Sequence, residues 1–77
     1  MLTLTLQTSE VIQIGDALVQ VLPKEKGSGQ KIGIEAPAHI AINRIRVADT
    51  NYKAEQIPAK ERIRIAQELI KEGRRYV

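Results

Sequence analysis

Cysteine is absent from the chain's 77 residues, which excludes disulfides and thiolate metal sites. With only one histidine, His39, an imidazole-based zinc site is not expected either. Phenylalanine and tryptophan are also missing, and Tyr52 and Tyr76 are the only aromatics. Any core must therefore be built from Ile, Leu and Val. A domain this short buries a modest share of its surface, and without disulfide or metal the remaining staple is a partner subunit. No apolar run approaches the roughly 20 residues of a membrane span. The opening "MLTLTLQTSE" lacks a basic start and an unbroken apolar stretch, so it is not expected to be a signal peptide, and the expected location is cytoplasmic.

The net charge of +3 is unevenly placed. Residues 1–43 carry three basic and four acidic side chains, whereas residues 44–77 carry nine basic and five acidic. A basic half suits an anionic partner, although a solvated helix surface gives the same count.

The first half has the alternation of strands. In "LTLTLQT" Leu2, Leu4 and Leu6 share one face and Thr3, Thr5 and Gln7 the other. "VIQI" follows, and Gly15-Asp16 predicts a tight hairpin into "ALVQVL" (17–22). "PKEKGSGQ" (23–30) is a charged loop, "KIGIE" (31–35) a fourth strand, and "HIAINR" (39–44) a fifth after the Ala36-Pro37 turn. Gly33, inside the fourth, predicts a bulge or a close backbone approach. Five short strands at regular spacing argue for a small antiparallel barrel or sandwich.

The second half is helical. Pro58 suits a first helical turn and Gly73 a C-terminal stop. Between them Ile63, Ile65, Ala66, Leu69 and Ile70 fall within one arc of roughly 160°. Arg62 lies in that arc and is expected to snorkel outward. Arg64 and Glu68 have ion-pair spacing. Residues 45–57 read equally as a continued strand or an early helix. If the strand runs on to Val47, then Ile40, Ile42, Arg44 and Arg46 share a face.

Catalysis is not expected. Ser9 and Ser28 lie in turns, nothing brings His39 to either, and Glu10 and Asp16 flank turns where acids serve local hydrogen bonds. "GSG" (27–29) lacks the lysine-serine pair and following helix of a phosphate loop. No cofactor is implied. His39 reads as an exposed strand residue, or as one able to stack on an unpaired base. Arg44 and Arg46 are more informative, because a strand-borne arginine can reach a phosphate or grip a guanine edge with both nitrogens, unless it is simply solvated.

At this point the residues resemble a family. "ML-LT" (Met1, Leu2, Leu4, Thr5), Glu10, "IGD" (Ile14–Asp16), Gly27, "IG" (Ile32-Gly33), "AP" (Ala36-Pro37) and Arg44 stand, without a gap, as in the carbon storage regulators CsrA and RsmA, small bacterial proteins that bind messenger RNA. The resemblance implies a mainly β homodimer. Its five short antiparallel strands interleave between subunits in a sandwich or barrel (residues 1–47), and a C-terminal α-helical extension follows (48–77). It implies a post-transcriptional repressor that recognises GGA-type motifs in mRNA leaders and blocks translation initiation. Possible partners are mRNA, small regulatory RNA, a protein antagonist or a related family member; no membrane is implied. The expected RNA-binding residues are Leu4 and Thr5 of one chain with Ala36, Pro37, Asn43, Arg44 and Arg46 of the other.

The departures from the family are specific. Two arginines normally follow "LT", and here Leu6 and Gln7 stand instead. Ser9 replaces a glycine, Asn43 a histidine, and Ile45-Arg46 an acidic pair. Residues 45–77 do not follow the family pattern. Arg46 could replace one lost cation, and the basic helix with Arg64, Lys71, Arg74 and Arg75 could add affinity. Leu6 extends the Leu2/Leu4 face, which would suit a protein contact if left open. The alternative function is therefore an RNA-binding-impaired paralogue acting through protein contacts or mixed dimers. A third reading is a small DNA-binding dimer with swapped strands.

Overall fold

The computed structural model describes residues 1–22 and 29–73. Most of the "PKEKGSGQ" loop lies outside the described residues, as do Arg74, Arg75 and Tyr76. Five strands come first: β1 (Leu2–Leu6), β2 (Glu10–Ile14), β3 (Ala17–Gln20), β4 (Gln30–Ile34) and β5 (Ile42–Arg46). Helices α1 (Asn51–Glu55) and α2 (Ala59–Lys71) follow.

The strands form two antiparallel sheets, β1-β4 and β3-β2-β5. Gly15 and Asp16 alone separate the paired Ile14 and Ala17. Gly15 takes a φ of 57°, a conformation that costs glycine little and that a two-residue hairpin requires. Its N–H donates to the Ala41 carbonyl at 2.9 Å, tying the hairpin to the approach of β5.

Gly33 makes no bulge, since Thr3 opposes it in an unbroken register. The close neighbour is a side chain: a Cβ at Gly33 would lie 3.2 Å from Met1 Sδ. The fifth strand starts later than the alternation suggested, because the Ile40 N–H donates to the Pro37 carbonyl at 3.0 Å and closes a turn there. His39 is exposed in that turn and not in a strand.

Pairing sets which side chains share a face. Ile12 opposes Arg44, and Ile14 opposes Ile42; Val11 opposes Ile45 on the other side. One face of the three-stranded sheet packs Ile12 against Leu6, Val21 and Ile34, with Leu4, Ile32, Ala36 and Ile42 around them. The other face packs Val11, Ile45 and Val47 against Ala66, with Ile63, Leu69 and Ile70 of α2 beside them. The described residues thus stack as β1-β4, then β3-β2-β5, then α2. Each fully buried Leu, Ile or Val in these layers stabilises the fold by about 1.5–3 kcal/mol.

The open question over residues 45–57 resolves into a strand ending at Arg46 and a short helix starting at Asn51. Thr50 caps that helix, its hydroxyl accepting the Lys53 N–H at 3.1 Å. Asn51 docks it onto the β1–β2 turn: Oδ1 accepts the Ser9 N–H at 3.1 Å and Nδ2 donates to Gln7 Oε1 at 2.6 Å. Pro58 sits one position before α2, its carbonyl accepting the N–H groups of Glu61 and Arg62. Gly73, at a φ of 78°, ends the helix as expected.

Two side-chain expectations are corrected. Arg62 does not snorkel; it is buried at 5% exposure. Its Nη1 donates to the carbonyls of Ala54 (2.8 Å) and Ile57 (2.9 Å), and its Nε to Gln20 Oε1 (3.0 Å). Gln20 Nε2 in turn donates to the Ala59 carbonyl at 3.0 Å, so β3, the end of α1 and the start of α2 meet on one guanidinium. Arg64 forms its close contact with Glu61, three residues before it, and not with Glu68.

Candidate nucleic-acid interface

The candidate site begins with the sequence of β5. Alternation puts Arg44 and Arg46 on one face of the strand and Asn43 and Ile45 on the other. Ile45 is fully buried beneath α2 and fixes that orientation, because a slip of one residue would bury the arginines instead. β5 is also an edge strand, paired only with β2 among the described residues.

Across β5 on the arginine face stands Glu10, the register partner of Arg46. Its carboxylate lies 3.7 Å from Arg44 Nη1, with the glutamate side chain 9% exposed and the arginine 39%. Glu10 Oε1 also accepts the Gln7 N–H at 3.3 Å, and its own N–H donates to the Gln7 carbonyl at 3.0 Å. The acid is thus held by the β1–β2 turn, and the arginine reaches over it toward solvent. An arginine so placed offers several donors outward while its charge is partly balanced from beneath.

The remaining expected residues are spread over other parts of the chain. Asn43 is half-buried on the α2 side of β5, its amide donating to Gln13 Oε1 at 3.4 Å. Leu4 and Ala36 pack against the core between the sheets. Thr5 is exposed on the opposite side of β1, across from Lys31. Pro37 is exposed, and its carbonyl is engaged within the turn by Ile40. Within one chain, therefore, Arg44 and Arg46 share a face of β5, and the other expected residues lie elsewhere.

The residues standing where the family carries arginines have structural uses. Leu6 is fully buried between the sheets, so it makes no open apolar patch. Gln7 holds α1 through Asn51. Sequence reasoning missed Glu10 as the partner of Arg44. The available signal was the strand register, which brings residue 10 beside residues 44 and 46 once β2 and β5 are paired.

These features define a small protein of two β-sheets and two helices, with a cationic edge strand. Residues 1–53 match the CsrA model, described as a global regulator protein family, and the chain belongs to that family. A protein named translational regulator CsrA from Thermotoga petrophila is 43% identical over 61 residues, spanning 79% of this chain and 72% of that relative. Another of that name from Pseudarthrobacter chlorophenolicus is 37% identical over 71 residues, spanning 92% and 91%. No solved structure matches the chain.

Proposed function

We propose that the protein is a cytoplasmic, RNA-binding translational regulator that recognises GGA-type motifs in mRNA leaders as a homodimer and blocks initiation. The observation that carries this reading is the pairing of Arg44 with Arg46 on one face of edge strand β5, inside the span shared with the family. Arginine suits the task because its rigid planar fork can engage O6 and N7 of an unpaired guanine with two aligned hydrogen bonds. Unpaired loops are where protein contacts read RNA sequence best.

Dimerisation would complete the face. Leu4 and Thr5 belong to β1, in the other sheet, and a second copy pairing along the open edge of β5 would bring its own β1 beside Arg44. Small regulatory RNAs carrying the same motif would compete for the site, and a protein antagonist could cover it.

The test is a titration of the dimer with a GGA-loop hairpin and with a GGA-to-CCA control at moderate salt. Preferential binding of the first is expected. Equal affinity for both, or none for either, would refute the proposal. The paralogue alternative keeps one support, the loss of two cations at Leu6 and Gln7. It loses the exposed leucine face, because Leu6 is buried, and the apolar face of α2 already packs on the chain's own sheet.

A further inference from the structure

We infer that Glu10 is a positioning residue that sets the specificity of Arg44, an inference that rests on the RNA-binding reading above. Three features of the chain point to it. The carboxylate is nearly buried, yet it lies 3.7 Å from the guanidinium most suited to base recognition. It is not free to move away, because the Gln7 N–H holds one of its oxygens. It stands directly across from Arg46 in the strand register, so it shares the face with both arginines.

A buried acid at such a place does two things. It restricts Arg44, a side chain that otherwise loses much rotamer freedom on binding, to the sheet face before RNA arrives. It also sets a fixed negative charge beneath the cations, which lowers their pull on any phosphate. Phosphate attraction is independent of sequence, whereas a held guanidinium fork reads base edges. Glu10 therefore trades general RNA affinity for discrimination. A surface arginine with no acid beneath it would bind more RNA and sort it less well.

The experiment uses Glu10→Gln, which keeps the shape and an acceptor for the Gln7 N–H while removing the charge. Affinities for the GGA hairpin and the CCA control are measured over a series of salt concentrations. The ratio between them is expected to fall about 5–10-fold, with control RNA binding more tightly at low salt. The salt dependence should steepen by up to about 0.7 in log–log slope, the value of one additional cation on single-stranded RNA. In an Arg44→Ala background, Glu10→Gln should leave the ratio unmoved. An unchanged ratio in the native background, or an equal change in both backgrounds, overturns the inference.

A second readout needs no RNA. The Arg44 Nε–H resonance should be ordered in the native protein and averaged in Glu10→Gln. If the native protein does not discriminate the hairpins but this signal responds, the RNA reading fails and the positioning role stands. If the native protein discriminates and neither the signal nor the ratio responds, the positioning role alone falls. Should Glu10→Gln not fold, Glu10→Asp withdraws the charge by one methylene; a two- to threefold loss of ratio is then expected, and an unchanged ratio refutes the inference.

Discussion

The Arg62 junction lends itself to a quantitative test. Truncation to alanine removes three hydrogen bonds from one guanidinium, at 2.8, 2.9 and 3.0 Å. The Ala54 residue is fully buried, and its carbonyl would keep the Ile57 N–H at 3.0 Å while losing its charged donor. Hydrogen bonds from a charged donor contribute about 1.5–3 kcal/mol each before desolvation is subtracted. Desolvating the guanidinium offsets much of the sum, leaving a net loss of about 3 kcal/mol. With a urea slope of about 1.5 kcal/mol/M, the unfolding midpoint of Arg62→Ala should fall by about 2 M. The assay is urea unfolding followed by circular dichroism at several protein concentrations, because dimerisation would make the midpoint concentration-dependent. Arg64→Ala, which removes an exposed contact to Glu61, serves as the control and should barely move the midpoint. Arg62→Lys keeps the charge without the fork and should recover less than half the loss. Arg62→Met keeps the apolar stem and offers no donors. If Arg62→Met proves as stable as the native protein, or Arg62→Ala shifts no further than Arg64→Ala, the argument that this guanidinium joins β3, α1 and α2 is wrong.

Three further outcomes are expected. Leu6→Ala should cost about 2–5 kcal/mol, because the side chain is fully enclosed between the sheets. Leu6→Arg should be worse still and should not raise RNA affinity, since the charge would enter the core; tighter binding by a stable Leu6→Arg protein would count against this packing. Arg44→Ala should weaken the GGA hairpin more than Arg46→Ala in a gel-shift titration, and the reverse order would move the site along β5. The Glu61 carboxyl is held below its ordinary range, chiefly by the hydrogen bond from Arg64. A lowered carboxyl stabilises the fold above its unfolded pKa and loses that contribution as pH falls through the folded value. NMR titration should therefore place its midpoint below the usual value of about 4.3, and Arg64→Gln should restore it.

The extent to which the sequence specified this protein varies by element. Strict alternation in "LTLTL", the Gly15-Asp16 turn, and the Pro58-to-Gly73 helix were legible because each depends on neighbours a few residues away. So was the pairing of Arg44 and Arg46 on one face once the strand was allowed to continue. Two local expectations failed for the same reason. The position of Arg62 within the apolar arc was visible, but its burial depends on the carbonyls of Ala54 and Ile57 and on Gln20, which lies 42 residues away. The start of β5 depended on a turn bond from Ile40 to Pro37 that competes with strand pairing.

By itself, then, the sequence determined the order of the five strands and the long C-terminal helix, the aliphatic make-up of the core, and the family register through Arg44. Only the tertiary structure decided that Leu6 faces inward, that Gln7 holds α1, and that Glu10 lies beneath Arg44. Each of these rests on contacts between segments far apart in the chain. Periodicity says which side chains share a face; the packing of the faces decides whether a leucine is a patch or a core, and whether an arginine stands free or over an acid.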